Sequence, residues 1–303
     1  MVSLSLYSGS VHRIGGTGAR RGKLPTYPSR LSGFSRTHRG PGRSRGGRWL
    51  IGGVLRAAND ADAGLPSEEL VTGPSISHVV DDLTDRIIKR CSSIQNGNKW
   101  IIGIAGPPGG GKTLLANAVC ERVNEVHNEE TTDSSFAAVV PMDGFHYTKA
   151  QLDAMSDPAL ARAKRGAHWT FDGSGFVDAL ERIRTAGTKM DVFLPSFDHG
   201  VGDPIENDIC VSKSTQVVLV EGNYLFLDID PWTKVPDKLD EKWFASCPLE
   251  VAAERVYRRH LETGKPEKEA RERIQGNDGP NAELVDKTRC FADIVIDMDL
   301  PLK

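Results

Sequence analysis

An eight-residue stretch has the residue types and the spacing that bind nucleotide phosphates. Residues 106–113 read GPPGGGKT and satisfy the pattern GxxxxGK[S/T] at every fixed position. Glycine lets the backbone approach an anion closely, and the stretch supplies Gly106, Gly109, Gly110 and Gly111. We expect Lys112 to reach the β- and γ-phosphates and the Thr113 hydroxyl to bind Mg²⁺. Residues 106–113 are called the phosphate loop below.

The residues on either side of the phosphate loop predict the elements that hold it. Residues 100–105 form a short apolar run without polar alternation, which is typical of a strand buried on both faces. Residues 114–123 carry apolar side chains at helical spacing. Because the strand ends and the helix begins at the loop, backbone N–H groups and the positive end of the helix would point at the bound phosphates.

Apolar runs and helical patterns alternate along the rest of the chain from about residue 75. Further strands are predicted at 137–141, 217–220, 243–245 and 292–296. Helices are predicted at about 75–91, 150–164, 174–187, 249–261 and 267–274. This alternation indicates repeated right-handed βαβ units, and so an α/β domain with a five-stranded, mostly parallel sheet.

A carboxylate follows the second predicted strand. Asp143 comes two residues after strand 137–141, within the string PMDGFH. Ligands of open α/β sheets bind at the carboxyl ends of the strands, so we expect Asp143 and the phosphate loop at the same edge. The sequence has no NKxD motif for reading guanine, which argues against a GTPase. ATP-driven machines and small-molecule kinases remain as function classes.

The string PMDGFH downstream of GPPGGGKT resembles the phosphoribulokinase/uridine kinase family, which also includes bacterial-type pantothenate kinases. The resemblance implies a P-loop NTPase fold of the nucleoside-kinase type, a three-layer sandwich with a helical lid. It also implies an ATP- and Mg²⁺-dependent kinase that phosphorylates a hydroxyl of a nucleoside, a sugar or a pantothenate-like metabolite. The family's aspartate at the position of Asp143 removes the proton from that hydroxyl, and Lys112 is expected to assist the transfer.

Other segments extend the resemblance over residues 100–298. VVLVEG ends in a carboxylate, Glu221, which the family directs at the metal. PSFDH at 195–199 is similar to the family's Pro-x-Tyr-Asp loop, with Phe197 in place of the tyrosine. The residues expected to contact the acceptor are Asp143, His146, Arg165, Asp172, Asp198 and His199. A helix-capping role is an equal alternative for Asp172, and a structural hydrogen bond is the alternative for the histidines.

Residues 255–264 read RVYRRHLETG and are similar to the family's lid, whose arginines close over the phosphates. Arg258 and Arg259 are the arginines we expect there. A closed lid excludes water from the transferring phosphoryl group. Thr263 stands where the family often has another arginine, so the number of phosphate contacts is left open.

The first 59 residues differ sharply in charge from the rest. They carry 11 basic and no acidic residues, whereas residues 60–303 carry 27 basic and 41 acidic residues, a net charge of −14. A segment rich in Gly, Ser and Arg without apolar periodicity predicts a disordered transit peptide over residues 1–58, for the chloroplast or alternatively the mitochondrion. Residues 59–98 are predicted as a linker and helix, and residues 99–303 as the kinase domain.

Composition limits the partners of the chain. No apolar run reaches the length of about 18 residues that a membrane-spanning helix needs. The five cysteines form no CxxC or Cys/His cluster, which argues against a structural zinc site. The acidic folded part argues against nucleic acid as a partner, although the basic N-terminus leaves an RNA-binding tail as an alternative. A small-molecule phosphate acceptor is the expected partner, a homodimer is left open, and an ATPase acting as a nucleotide-dependent switch or assembly factor is the alternative function.

Overall fold

The computed structural model of the chain describes residues 69–91, 98–128, 136–198 and 200–302. The predicted transit peptide, residues 1–58, and the predicted acceptor residue His199 lie outside these ranges. The strands run β1 Glu69–Val71, β2 Trp100–Ala105, β3 Ala137–Pro141, β4 Val192–Asp198, β5 Asp203–Val211, β6 Val217–Gly222, β7 Glu241–Ser246 and β8 Ile294–Asp297. The α-helices run α1 Ile76–Cys91, α2 Lys112–Asn128, α3 Lys149–Asp153, α4 Pro158–Ala163, α5 Gly173–Ala186, α6 Leu249–Glu262, α7 Glu267–Arg273 and α8 Gly279–Asp286.

The described part of the chain forms a six-stranded sheet in the order β1-β8-β7-β2-β6-β3. Every pair of neighbouring strands in it is parallel. Strand β2 lies inside the sheet, and all six of its residues are buried, as are all six of β6. This explains the unbroken apolar runs, because a strand covered on both faces needs apolar side chains at every position.

Two apolar clusters lie on opposite faces of the sheet. Ile101 of β2 packs in a cluster with Phe176 and Leu180 of α5. Its neighbour Ile102 packs in the other cluster, with residues of α1 and α2 that include Leu83. Because successive side chains of a strand point to opposite faces, the chain forms a three-layer α/β sandwich, and the predicted fold class is confirmed.

The sheet has six strands where five were predicted. The additional strand, β1, pairs with β8 through Glu69, Leu70 and Val71. It contains three residues at the edge of the sheet, and Leu70 is 60% exposed. A strand this short and this exposed carries no apolar run or alternation, so the sequence pattern gave no sign of it.

A second, two-stranded sheet is formed by β4 and β5, which pair in antiparallel orientation. We call β4, β5 and the turn between them the acceptor-side hairpin. The segment 195–198, predicted as a loop, belongs to β4 instead. Most of β5 is exposed, so it lacks the apolar signal of the strands in the main sheet. None of the described helices is both long enough and apolar enough to cross a membrane.

Candidate active site

The phosphate loop joins the buried end of β2 to the first residue of α2, Lys112. Gly109 has a φ of +79°, and a Cβ there would lie 2.2 Å from the carbonyl oxygen of Ala252 in α6. No other residue type fits this approach without displacing backbone. The glycine therefore fixes the loop directly against the helix that carries the predicted lid arginines.

Lys112 is almost fully buried at the base of the phosphate loop, with 8% of its surface exposed. Its ammonium group donates a hydrogen bond of 3.0 Å to the carbonyl oxygen of Pro107. Burial lowers the pKa of Lys112, while Glu221 and Asp143 oppose that effect. The position brings its positive charge to where phosphate oxygens would approach the loop.

Thr113 and Glu221, the two predicted metal ligands, lie side by side. The Thr113 hydroxyl donates to Oε1 of Glu221 over 3.1 Å, and Glu221 is 5% exposed. Burial raises the pKa of the Glu221 carboxyl to about 7; Lys112 opposes the shift and Asp143 adds to it. The two adjacent oxygens, from the Thr113 hydroxyl and the Glu221 carboxyl, are of the type that binds Mg²⁺. A bound cation would also favour the ionised form of the carboxyl. No group of three or more His, Cys, Asp or Glu residues suited to a metal occurs in the described ranges, so substrate oxygens and water would complete the coordination.

Asp143 lies in a 3₁₀ turn, Met142–Phe145, that begins directly after β3. Pro141 at the end of β3 pairs with Glu221 in β6, so the two carboxylates occupy neighbouring strand ends. A Cβ on the next residue, Gly144, would lie 2.1 Å from the carbonyl oxygen of Pro195 in β4. This contact seats the turn, called the Asp143 turn below, against the acceptor-side hairpin.

One cavity of about 280 Å³ collects most of the predicted catalytic and phosphate-binding groups. Its lining includes Lys112, Thr113, Asp143, Glu221 and Arg259. Cations, a carboxylate at the edge of the sheet and the two oxygens predicted to bind a metal therefore face the same volume. That combination suits a bound nucleotide phosphate with an acceptor beside it.

The structure brings Arg259 to this cavity but not Arg258. The Arg258 side chain is 70% exposed and binds Glu254 over 2.8 Å on the outer face of α6. Arg255 lines the cavity in its place and donates to the carbonyl oxygens of Gly109 and Met298. Residues 255 and 259 are four apart and share a helix face, whereas residue 258 is rotated by about 100° from 259. The expectation for Arg258 is corrected accordingly.

Thr263, which replaces an arginine of the family pattern, has a local role at the end of α6. Its hydroxyl donates to the carbonyl oxygens of Arg259 and His260, both over 3.0 Å. These bonds add to those of the backbone amides of Thr263 and Lys265, which already donate to the same two oxygens, and so reinforce the C-terminal end of the helix. In the described structure the arginines of α6 that line the cavity are Arg255 and Arg259.

The residues predicted to contact the acceptor fall into two groups. His146 lies beside the cavity: its Nδ1 is 2.9 Å from the Asp143 carbonyl oxygen, and its ring packs against Phe171 with centroids 3.9 Å apart. Asp143 lines the cavity itself, whereas Arg165, Asp172 and Asp198 have structural partners. Asp172 accepts a hydrogen bond from the Gly175 amide and caps the start of α5. Asp198 accepts hydrogen bonds from two amides in the turn of the acceptor-side hairpin. Arg165 donates to the carbonyl oxygen of Tyr147 over 2.8 Å.

Two residues that follow β6 were missed by the sequence analysis. Asn223 lines the cavity beside Glu221. The buried Tyr224 donates its hydroxyl to the carbonyl oxygen of Gly166 over 2.6 Å. Both come just after the VVLVEG strand, and the rule that ligands bind at strand ends applies to Asn223 as it does to Asp143, whereas Tyr224 packs in the apolar core.

Comparisons with known proteins agree with this geometry. No protein-family model matches the chain. The chain is 37% identical over 228 residues to the Schizosaccharomyces pombe protein C227.14, which is named provisionally as a uridine kinase. The aligned region covers 75% of this chain and 93% of that protein. It is 29% identical over 289 residues to the ATP-dependent kinase YFH7 of Zygosaccharomyces rouxii, with 72% of that protein and 85% of this chain covered.

Solved structures share the fold. A protein from Silicibacter sp. TM1040, described provisionally as a fructose transport system kinase, superimposes with a TM-score of 0.62 at 27% identity, over 74% of this chain and 99% of that one. YFH7 of Saccharomyces cerevisiae superimposes with a TM-score of 0.61 at 22% identity, over 74% of this chain and 98% of YFH7. From the identity to the uridine-kinase-like relative over nearly its whole length, together with the shared fold, the chain belongs to the uridine-kinase-like P-loop kinases of the phosphoribulokinase/uridine kinase family.

Proposed function

We propose that the chain is an ATP- and Mg²⁺-dependent kinase that transfers the γ-phosphoryl group of ATP to a hydroxyl of a small metabolite, such as a nucleoside, a sugar or a pantothenate-like alcohol. One observation carries the proposal: Asp143 faces the same cavity as Lys112 and the Thr113–Glu221 pair. The names of the relatives, which include uridine kinase and ATP-dependent kinase, support it.

In this proposal Asp143 orients the acceptor hydroxyl and accepts its proton as the oxygen attacks the γ-phosphorus. The new P–O bond forms as the bond to the β-phosphate oxygen breaks, and ADP leaves. Such transfers need little covalent help, so a positioned carboxylate and nearby cations supply most of the catalysis. Lys112, Arg255 and Arg259 line the cavity or its base and would stabilise the negative charge on the transferring group.

Thr113 and Glu221 would hold Mg²⁺, which when bound neutralises phosphate charge. The pair sits at the start of α2 and the end of β6, two elements anchored in the buried sheet. A rigid base of this kind keeps the metal-binding oxygens in a fixed position relative to the phosphate loop.

Helix α6 would act as the lid. It carries Arg255 and Arg259 on the face toward the cavity, and the Gly109 contact anchors its first half. A lid that covers the phosphates excludes water, which protects the γ-phosphoryl group from hydrolysis. A carboxylate can orient an attacking water as well as an alcohol, so dependence of ADP release on an acceptor is what distinguishes a kinase from an ATPase switch.

An acceptor screen tests the proposal. The protein is incubated with ATP, Mg²⁺ and separate pools of nucleosides, sugars, pantothenate and glycerate, while ADP release and product mass are followed. We expect one pool to accelerate ADP release and to yield a product heavier by one phosphoryl group. ADP release at the same rate with every pool and with no acceptor would contradict the kinase and favour the switch.

We further propose that residues 1–58 direct import into the chloroplast, on the basis of their arginine content and lack of acidic residues. A reporter fused to residues 1–58 should enter plastids, and a reporter with its arginines changed to glutamine should not. Retention of the first reporter in the cytosol would contradict the proposal, and its entry into mitochondria would support the alternative destination.

A further inference from the structure

Arg165 lies at a junction of the acceptor side rather than in an open pocket. Only 14% of its side chain is exposed. One guanidinium nitrogen, Nη2, donates to the Tyr147 carbonyl oxygen over 2.8 Å and to Oδ1 of Asp203 over 3.1 Å, and Nη1 donates to the Gly202 carbonyl oxygen. The guanidinium group of Arg165 thus links Tyr147, which lies two residues after the Asp143 turn, to Gly202 and Asp203 of the acceptor-side hairpin.

The same guanidinium also supports the ring beside Asp143. It lies over Phe197 of β4, 5.4 Å from the ring centroid. Phe197 in turn packs against His146 with centroids 4.5 Å apart, and Nδ1 of His146 is 2.9 Å from the Asp143 carbonyl oxygen. Arg165 therefore binds the carbonyl oxygen of Tyr147, two residues after the Asp143 turn, and through Phe197 supports the ring of His146, which contacts that turn.

The backbone of Arg165 faces α7 and the π-helical segment after it, the elements that follow the lid helix α6 in the chain. Its carbonyl oxygen accepts from Nη2 of Arg273 over 2.7 Å and from Nδ2 of Asn277 over 3.0 Å. Asn277 is 4% exposed and belongs to the π-helical segment Ile274–Asp278 that follows α7. Such π-helical turns often occur at functional sites, because they place a side chain where a regular helix would not.

The π-helical segment returns to the helix that carries the lid arginines. Oδ2 of Asp278 is 2.8 Å from Nε2 of His260, and His260 directly follows Arg259 in α6. A continuous series of contacts thus links the phosphate side to the Asp143 turn through His260, Asp278, Asn277 and Arg165. A series of contacts carries coupling only if a change at one end alters the other, which mutations can test.

We propose that Arg165 is a positioning residue that fixes the position of the Asp143 turn relative to the lid helix α6. It is not a ligand of the acceptor. The proposal rests on the proposed function, since it takes Asp143 as the base. Nη1 and Nη2 already donate to Gly202, Tyr147 and Asp203, and Nε, the one guanidinium nitrogen without a partner in the described ranges, is buried, so an acceptor could not reach it. A planar fork with several donors can join three partners at once, whereas lysine offers a single ammonium group.

Hydrogen exchange tests the coupling without any acceptor. Asn277→Ala and Arg273→Ala each remove a side chain that donates a hydrogen bond to the Arg165 carbonyl oxygen. We expect backbone amides in residues 143–148 to exchange about tenfold faster in both variants, with amides of β2 unchanged, because the turn loses a restraint. Arg271→Ala is the matched control, since Arg271 lies in the same last turn of α7 but binds Glu267 at the surface.

Exchange in residues 143–148 at the parent rate in both variants would overturn the coupling. Should Asn277→Ala fail to fold, Arg273→Ala decides the point, because Arg273 lies in the exposed α7 and only one of its donors reaches Arg165. The result does not depend on whether the chain is a kinase, so the two proposals can fail separately.

Kinetics then separate a positioning residue from an acceptor ligand. Arg165→Lys should lower kcat by about 10- to 100-fold, since misplacement of a catalytic group by about 1 Å costs this much, with both KM values changed less than about threefold. Arg162→Lys is the control, because Arg162 binds Asp153 on the surface of α4. A raised acceptor KM with kcat unchanged would show that Arg165 binds the acceptor and would overturn the proposal. Non-additive kcat losses in the Arg165→Lys, Asn277→Ala double variant would support it.

Discussion

Replacement of Glu221 by glutamine should stabilise the nucleotide-free protein at pH 8 and have little effect at pH 5. The Glu221 carboxyl is 5% exposed, and burial raises its pKa to about 7 from an ordinary value of 4.5. Between these two values the folded state binds a proton that the unfolded state has released. Stability therefore falls as the pH rises through this interval. Glutamine stays neutral at every pH and removes the loss.

The size of the effect follows from the difference between the two pKa values. A difference of about 2.5 corresponds to about 3 kcal/mol of unfolding free energy. The unfolded carboxyl is already largely ionised at pH 5, so about 2 to 3 kcal/mol, most of this free energy, is lost between pH 5 and pH 8. The Thr113 hydroxyl can still donate to the amide oxygen of glutamine, so the variant keeps the hydrogen bond seen at 3.1 Å.

Guanidinium chloride unfolding at pH 5 and pH 8, without nucleotide or Mg²⁺, measures this difference. Glu254→Gln on the exposed face of α6 is the matched control and should shift stability by no more than about 0.5 kcal/mol at either pH. An equal effect of Glu221→Gln at the two pH values would refute the reasoning. It would mean that Glu221 is ionised in the folded protein across the whole range.

Three further results should follow from the same site. Lys112→Ala should weaken ATP binding by about tenfold or more, measured by calorimetry, since a contact to a charged group is worth about 1.5–3 kcal/mol. Arg259→Ala should lower kcat at least about tenfold while Arg258→Ala changes it less than about twofold, since only Arg259 faces the cavity; equal losses would contradict the assignment. The affinity of the parent protein for ATP with Mg²⁺ should rise between pH 6 and pH 8, because the Glu221 carboxyl must ionise to bind the cation. In Glu221→Gln this affinity should not change with pH over the same range.

The central sheet and the phosphate loop could be predicted because their signals are local. The predicted bounds of β2 and β3 are those of the structure, since unbroken apolar runs mark strands buried on both faces. Asp143 was found from the rule that ligands meet the carboxyl ends of parallel strands and Glu221 from the family resemblance, and the structure places both at the cavity. Strand β1 was missed because three exposed edge residues leave no pattern.

The roles of side chains depended on partners far away in the sequence. Arg258 and Arg259 are adjacent, and only the orientation of α6 against the phosphate loop decides which one faces the cavity. Arg165 was predicted as an acceptor residue, but its partners lie 18 to 112 residues away. No local spacing rule could reveal them. The capping role of Asp172 was open from the sequence, and the bond from Gly175 favours it.

Phosphate transfer by Asp143→Asn tests the central claim most directly. The substitution keeps the shape of the side chain and removes its ability to accept a proton. Transfer to the acceptor should fall by about 10²- to 10⁴-fold, while the affinity for ATP stays within about twofold, because the phosphates are bound by a different loop. Asp198→Asn, at the end of β4 beside the turn of the acceptor-side hairpin, should retain transfer. Transfer by Asp143→Asn at the rate of the parent protein would contradict the assignment of Asp143 as the base, and with it the account of this site as a kinase acting on an alcohol.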